Sequence, residues 1–119
     1  MNNMKHYEIA AQKQKEEYFA AEFIRTRLDS SEMIAQLAEE AVELAHAALK
    51  LRRAVGLSNP TPVTPEDAYA AVLEELADVT LLVRLLYLNT DTDEVEAVCR
   101  HKLLRWRDRL LKASEETEK

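Results

Sequence analysis

Apolar positions recur along this chain every three to four residues, the period of an α-helix, and the alternation that marks a strand is nearly absent. Tyr7, Ala10, Ala11, Tyr18, Ala21, Ile24 and Leu28 trace a first helix over about residues 7–28. Asp29-Ser30-Ser31-Glu32 offers an N-cap, with Glu32 three residues after Asp29 in the manner of a capping box. A second helix then runs to about Val55, where Gly56 supplies the stop. Leu57 to Val63 contains Ser58-Asn59-Pro60 and Pro62 and reads as a loop, because proline denies the backbone its helical bonds. Thr64 caps and Pro65 opens a third helix, with Glu66 and Asp67 in its first turn, extending to about Leu88. Asn89-Thr90-Asp91-Thr92 is a second stop and restart, and a fourth helix follows from about Asp93 to Ala113.

The pattern predicts an all-α, four-helix bundle-like fold. We expect a single domain over residues 1–119, with 1–6 and 114–119 disordered. The third helix is apolar nearly all round its axis: Val72, Leu73, Leu76, Val79, Leu81, Leu82, Val83, Leu85 and Leu86 leave no wholly polar side. Such a helix belongs at the centre of an assembly. With only three partner helices in its own chain, a second copy is the simplest cover, and a homodimer or homotetramer is expected.

Composition narrows the picture further. The chain has 119 residues, 47% of them hydrophobic, with one Gly and three Pro, which suits helices. A formal net charge of −6 argues against stable nucleic-acid binding, which needs basic surface. The polar first fifteen residues lack the apolar core of a signal peptide. The longest apolar run, Val79 to Leu88, is broken by Thr80 and Arg84 and falls well short of the roughly 20 residues a membrane span needs. A cytoplasmic protein with no membrane contact is expected. The single Cys99 rules out an internal disulfide and reads as a small buried or half-buried hydrophobe.

Against this background two acidic signatures stand out: Glu39-Glu40-Ala41-Val42-Glu43 and Glu74-Glu75-Leu76-Ala77-Asp78. Residues three apart on a helix lie roughly 60° apart around the axis, so Glu40 with Glu43, and Glu75 with Asp78, each project from one face. Glutamates on helices are mostly solvated, and that reading applies to Glu39 and Glu74 as readily as a functional one. Glu40, Glu43, Glu75 and Asp78 instead share their arcs with Leu37, Leu44, Ala71 and Leu82, and Asp78 is a poor residue for the middle of an apolar helix. Two such faces set together gather four carboxylates, an arrangement that calls for cations. All-oxygen ligation suits Mg²⁺, with Mn²⁺ as an alternative.

The stretch Gln36-Leu37-Ala38-Glu39-Glu40-Ala41-Val42-Glu43-Leu44-Ala45, followed by Leu73-Glu74-Glu75-Leu76-Ala77-Asp78-Val79, resembles the ExxE and ExxD signatures of the MazG-like, all-α nucleotide pyrophosphohydrolases. The resemblance extends over about Ser31 to Arg109. It implies hydrolysis of a nucleoside triphosphate between the α and β phosphates, with Mg²⁺ held by Glu40, Glu43, Glu75 and Asp78. Glu39 is then the candidate to orient or deprotonate the attacking water. Lys102, Arg105, Arg109 and Lys112 recur along one side of the fourth helix. The first three match the family's lysine followed by arginines and are candidates for substrate phosphate, equally readable as surface charge. Trp106 stands where many relatives carry an asparagine. Lys50, two turns beyond Glu43, is a further phosphate candidate, although cations are favoured at any helix C-terminus.

Two competing readings remain. Glu43-Leu44-Ala45-His46 is a Glu-x-x-His unit of the kind used in di-iron carboxylate bundles, but those need two such units and Asp78 is followed at plus three by Leu81. His46, like His6 and His101, then reads as a surface residue. The other is a non-enzymatic helical adaptor whose acids are merely solvated. Tyr18, Phe19, Phe23 and Trp106 are candidates either for core packing or for stacking on a base, and the identity of that base is open.

Overall fold

The structure, a computed structural model, describes residues 2–56, 59, 61–87 and 92–118. These form four α-helices in the order α1 (Asn2–Arg27), α2 (Ser30–Ala54), α3 (Pro65–Tyr87) and α4 (Thr92–Glu118), with no strand among the described residues. The protein is all-α, as the periodicity predicts. Among the described residues no helix is long and apolar enough to cross a membrane.

Local chemistry accounts for the helix ends. The Asp29 carboxylate accepts a hydrogen bond from the Glu32 amide at 2.8 Å, the first half of the expected capping box. α2 ends where the Gly56 amide donates to the Arg53 carbonyl and Gly56 adopts φ +84°, a left-handed conformation that costs glycine nothing. Thr64 caps α3 by accepting from the Asp67 amide at 3.2 Å. The expected loop from Leu57 to Val63 lies partly, and the expected stop at Asn89 to Asp91 wholly, outside the described residues. α4 runs past Ala113 to Glu118, because Glu115 and Glu116 favour a helix and nothing breaks it; the Thr117 hydroxyl donates to the Ala113 carbonyl.

α1, α2 and α3 make one compact unit, and α4 makes a second. The core of the first unit is small. Met33 of α2 packs with Leu82 and Leu85 of α3, and Ala21, Ile24, Leu37 and Leu86 close around them. Arg25 adds a polar fastening: its Nε donates to the Leu85 carbonyl at 3.0 Å, satisfying one of the carbonyls left open in the last turn of α3, and its Nη1 pairs with Glu22 at 2.6 Å. Its Nη2 is buried without a partner among the described residues.

Several aromatic residues lie on the surface. Tyr18, Phe19 and Phe23 are each more than half exposed, as is Trp106 of α4, so none of them is a core residue in the described fold. Residues 3–20 of α1 are exposed, which leaves Tyr18 and Phe19 to pack edge-on against each other, and Arg27 to cover the Phe23 ring. Cys99 is likewise exposed rather than buried, because α4 within its own unit has no second helix to bury against.

Candidate metal centre

The two acidic signatures face one another across α2 and α3. Leu37 and Met33 of α2 pack towards Leu82 of α3, and this seam sets the rotation of both helices. One to two turns along the same side, the seam brings Glu40 opposite Glu75 and Asp78. One carboxylate oxygen from each of these three residues lies within 4.8 Å of the others. Glu40 and Glu75 are half-buried.

The position of Glu40 is held by a neighbour that the sequence reading passed over. Gln36, one turn earlier on α2, donates from Nε2 to Glu40 Oε1 at 2.9 Å. The i, i+4 spacing of Gln36 and Glu40 is the signal that could have found it. Such a bond restricts the Glu40 rotamer while leaving the second carboxylate oxygen available.

Electrostatically the cluster is strained. Partial desolvation between the helices raises the Glu75 pKa above its ordinary value of 4.5, and the negative charges of Asp78, Glu40, Glu43 and Glu74 raise it further. Like charges this close resist full ionisation, and a divalent cation among them would relieve the repulsion. The donor set contains only carboxylate oxygens, which fits a hard cation such as Mg²⁺ better than zinc or iron, for which imidazole and thiolate are the commoner donors.

None of the other candidates belongs to this trio. Glu43 is exposed on α2, near enough to act on Glu75 through its charge but outside the three-oxygen group. Glu39 is exposed and is not among the converging carboxylates. Lys50 is exposed further along α2, and His46 is exposed and no part of the cluster. Lys102, Arg105 and Arg109 occupy one exposed side of α4, away from the apolar stripe formed by Leu103, Trp106, Leu110 and Leu111.

Neither protein-family models nor curated proteins nor solved structures gave a match to this chain.

Proposed function

We propose that this protein is a Mg²⁺-dependent nucleoside triphosphate pyrophosphohydrolase of the MazG-like, all-α kind, working as a homodimer or homotetramer. The observation that carries the proposal is the convergence of Glu40, Glu75 and Asp78 from two helices onto one point. Two ExxE/ExxD signatures could have lain on opposite sides of the unit; their meeting is what a shared cation requires.

In this reading Glu40, Glu75 and Asp78 would hold Mg²⁺, with Glu43, on the same helix as Glu40, as the fourth candidate. Bound there, Mg²⁺ would supply charge neutralisation for the α-phosphate and a more acidic water. The water oxygen bonds to the α-phosphorus, the anhydride bond to the β-phosphate breaks, and pyrophosphate leaves with the bridging oxygen. Glu39, the chain neighbour of Glu40, is the residue assigned to orient this water or take its proton. Lys50 on α2 and the cationic side of α4, with Lys102, Arg105 and Arg109, are the groups suited to the remaining phosphate charge.

Incubating the protein with a panel of NTPs and dNTPs, and measuring pyrophosphate with and without Mg²⁺, tests the proposal. Release from at least one nucleotide, dependent on Mg²⁺ and reduced at least a hundredfold by Glu75→Gln, is expected. No release from any member of the panel would leave the adaptor reading in its place.

A further inference from the structure

One of the three converging carboxylates differs from the other two. Glu40 Oε1 accepts a hydrogen bond from Gln36 Nε2 at 2.9 Å, whereas among the described residues no donor is bonded to Glu75 or Asp78. Gln36 stands one turn before Glu40 on α2, and both the residue and the bond are exposed. Such a bond adds little to the stability of the fold, because water can take the place of the amide at the surface. Its consequence is local. A neutral donor engages one oxygen of Glu40 and brings no positive charge to the cluster.

How many oxygens a carboxylate can give decides which cation it suits. Mg²⁺ takes its ligands in an octahedron at about 2.0–2.1 Å, which sets neighbouring ligand atoms about 3 Å apart. The two oxygens of a single carboxylate lie closer together than that, so each carboxylate gives Mg²⁺ one oxygen. Ca²⁺ takes about six to eight oxygens at about 2.3–2.6 Å in a looser shell, and readily accepts both from one carboxylate. An amide held on Oε1 of Glu40 leaves Oε2, the one oxygen that Mg²⁺ asks of this residue. Ca²⁺ gains the second oxygen only if the Gln36 bond breaks.

We propose that Gln36 determines the cation choice of this site: by holding Oε1 of Glu40 it limits that carboxylate to a single metal bond and so favours Mg²⁺ over Ca²⁺. Gln36 acts here through Glu40, and its role rests on the reading of Glu40, Glu75 and Asp78 as cation ligands. It touches a ligand and not the cation, which makes it a positioning residue. The spacing suits the task, because a glutamine four residues before an acid reaches it along the same helix face. The restraint is thus built into α2 itself and needs no contact with α3. A lysine at this position would hold the same oxygen but repel the cation, and an asparagine, one methylene shorter, would not reach. Glu75 and Asp78 carry no such restraint, so the preference for Mg²⁺ is one of degree.

Calorimetric titration of the full chain with Mg²⁺ alone and with Ca²⁺ alone gives the ratio of the two dissociation constants and tests the proposal. Gln36→Met keeps the length and helix preference of the side chain and removes its donor. It is expected to move the ratio about tenfold towards Ca²⁺, the lower end of what a hydrogen-bond partner of a metal ligand contributes, chiefly by tightening Ca²⁺. Gln36→Lys restores a donor, so it is expected to weaken both cations while keeping the wild-type ratio. The melting temperature of Gln36→Met in EDTA is expected to match the wild type, which separates the orientation of Glu40 from a general loss of structure. An unchanged ratio in Gln36→Met overturns the proposal, as does an equal weakening of both cations. A wild type that takes up neither cation, or that binds them no better than Glu75→Gln does, removes the cation site and this role of Gln36 with it. The expected shift in ratio without pyrophosphate release from any nucleotide removes the enzymatic reading alone and leaves the role of Gln36 standing.

Discussion

Glu75 concentrates the chemistry of this protein in one side chain. Its carboxyl is raised by partial desolvation and by four neighbouring acids, so the folded state holds its proton to higher pH than the unfolded chain does. Between the ordinary value of 4.5 and the raised one, the folded state binds more protons. Stability therefore grows as pH falls through that window and is lost as pH rises through it. The metal-free protein is expected to melt higher in mildly acidic than in neutral buffer. Glu75→Gln should flatten that dependence and raise the melting temperature at neutral pH, which differential scanning calorimetry can follow. Mg²⁺ at neutral pH is expected to stabilise the wild type, in proportion to the logarithm of its concentration above Kd, and to leave Glu75→Gln and Asp78→Asn unmoved. Spacing alone was enough to nominate Glu40, Glu75 and Asp78. It could not place Glu43 outside the three-oxygen group, because the stagger of α2 against α3 determines which acids meet.

At the scale of the element, the helix boundaries follow from single residues. Asp29, Gly56 and Thr64 were legible in the sequence because each cap bond spans only three residues of the chain. Asp29→Ala is expected to cost about 1 kcal/mol of stability, the usual worth of an N-cap, measurable by urea denaturation. The contact between Arg25 and the Leu85 carbonyl joins residues 60 apart in the chain and left no local signal. Arg25→Ala removes a charged donor from a partly buried carbonyl and should cost about 1.5–3 kcal/mol. Arg25→Lys should recover only part of that, since an ammonium cannot bond Leu85 and Glu22 with the same fork. The exposed aromatic residues of α1 carry the complementary lesson. Their helical period was correct, yet period shows which residues share a face and not whether anything covers it.

For the whole molecule, the described core rests on few residues: Met33, Ala47, Ala68, Leu82 and Leu85 are the buried apolar set. A chain of this length with so small an interior is marginal on its own. Leu82→Ala, at the centre of the cluster, should cost at least about 2 kcal/mol, and in so thin a core that is a large share of the total. Self-association, part of the proposed function, would add what the interior lacks. The wild-type melting temperature is then expected to rise with protein concentration.

Helical class, cap positions and the pairing of acids within each signature were all settled by contacts within one or two turns, and such contacts are written directly in residue order. The meeting of Glu40 with Glu75 and Asp78 and the Arg25 fastening depend on the rotation and stagger of packed helices. Those quantities follow from the fit of Met33, Leu82 and Leu85 against one another, because a packed seam admits few orientations of the helices that form it.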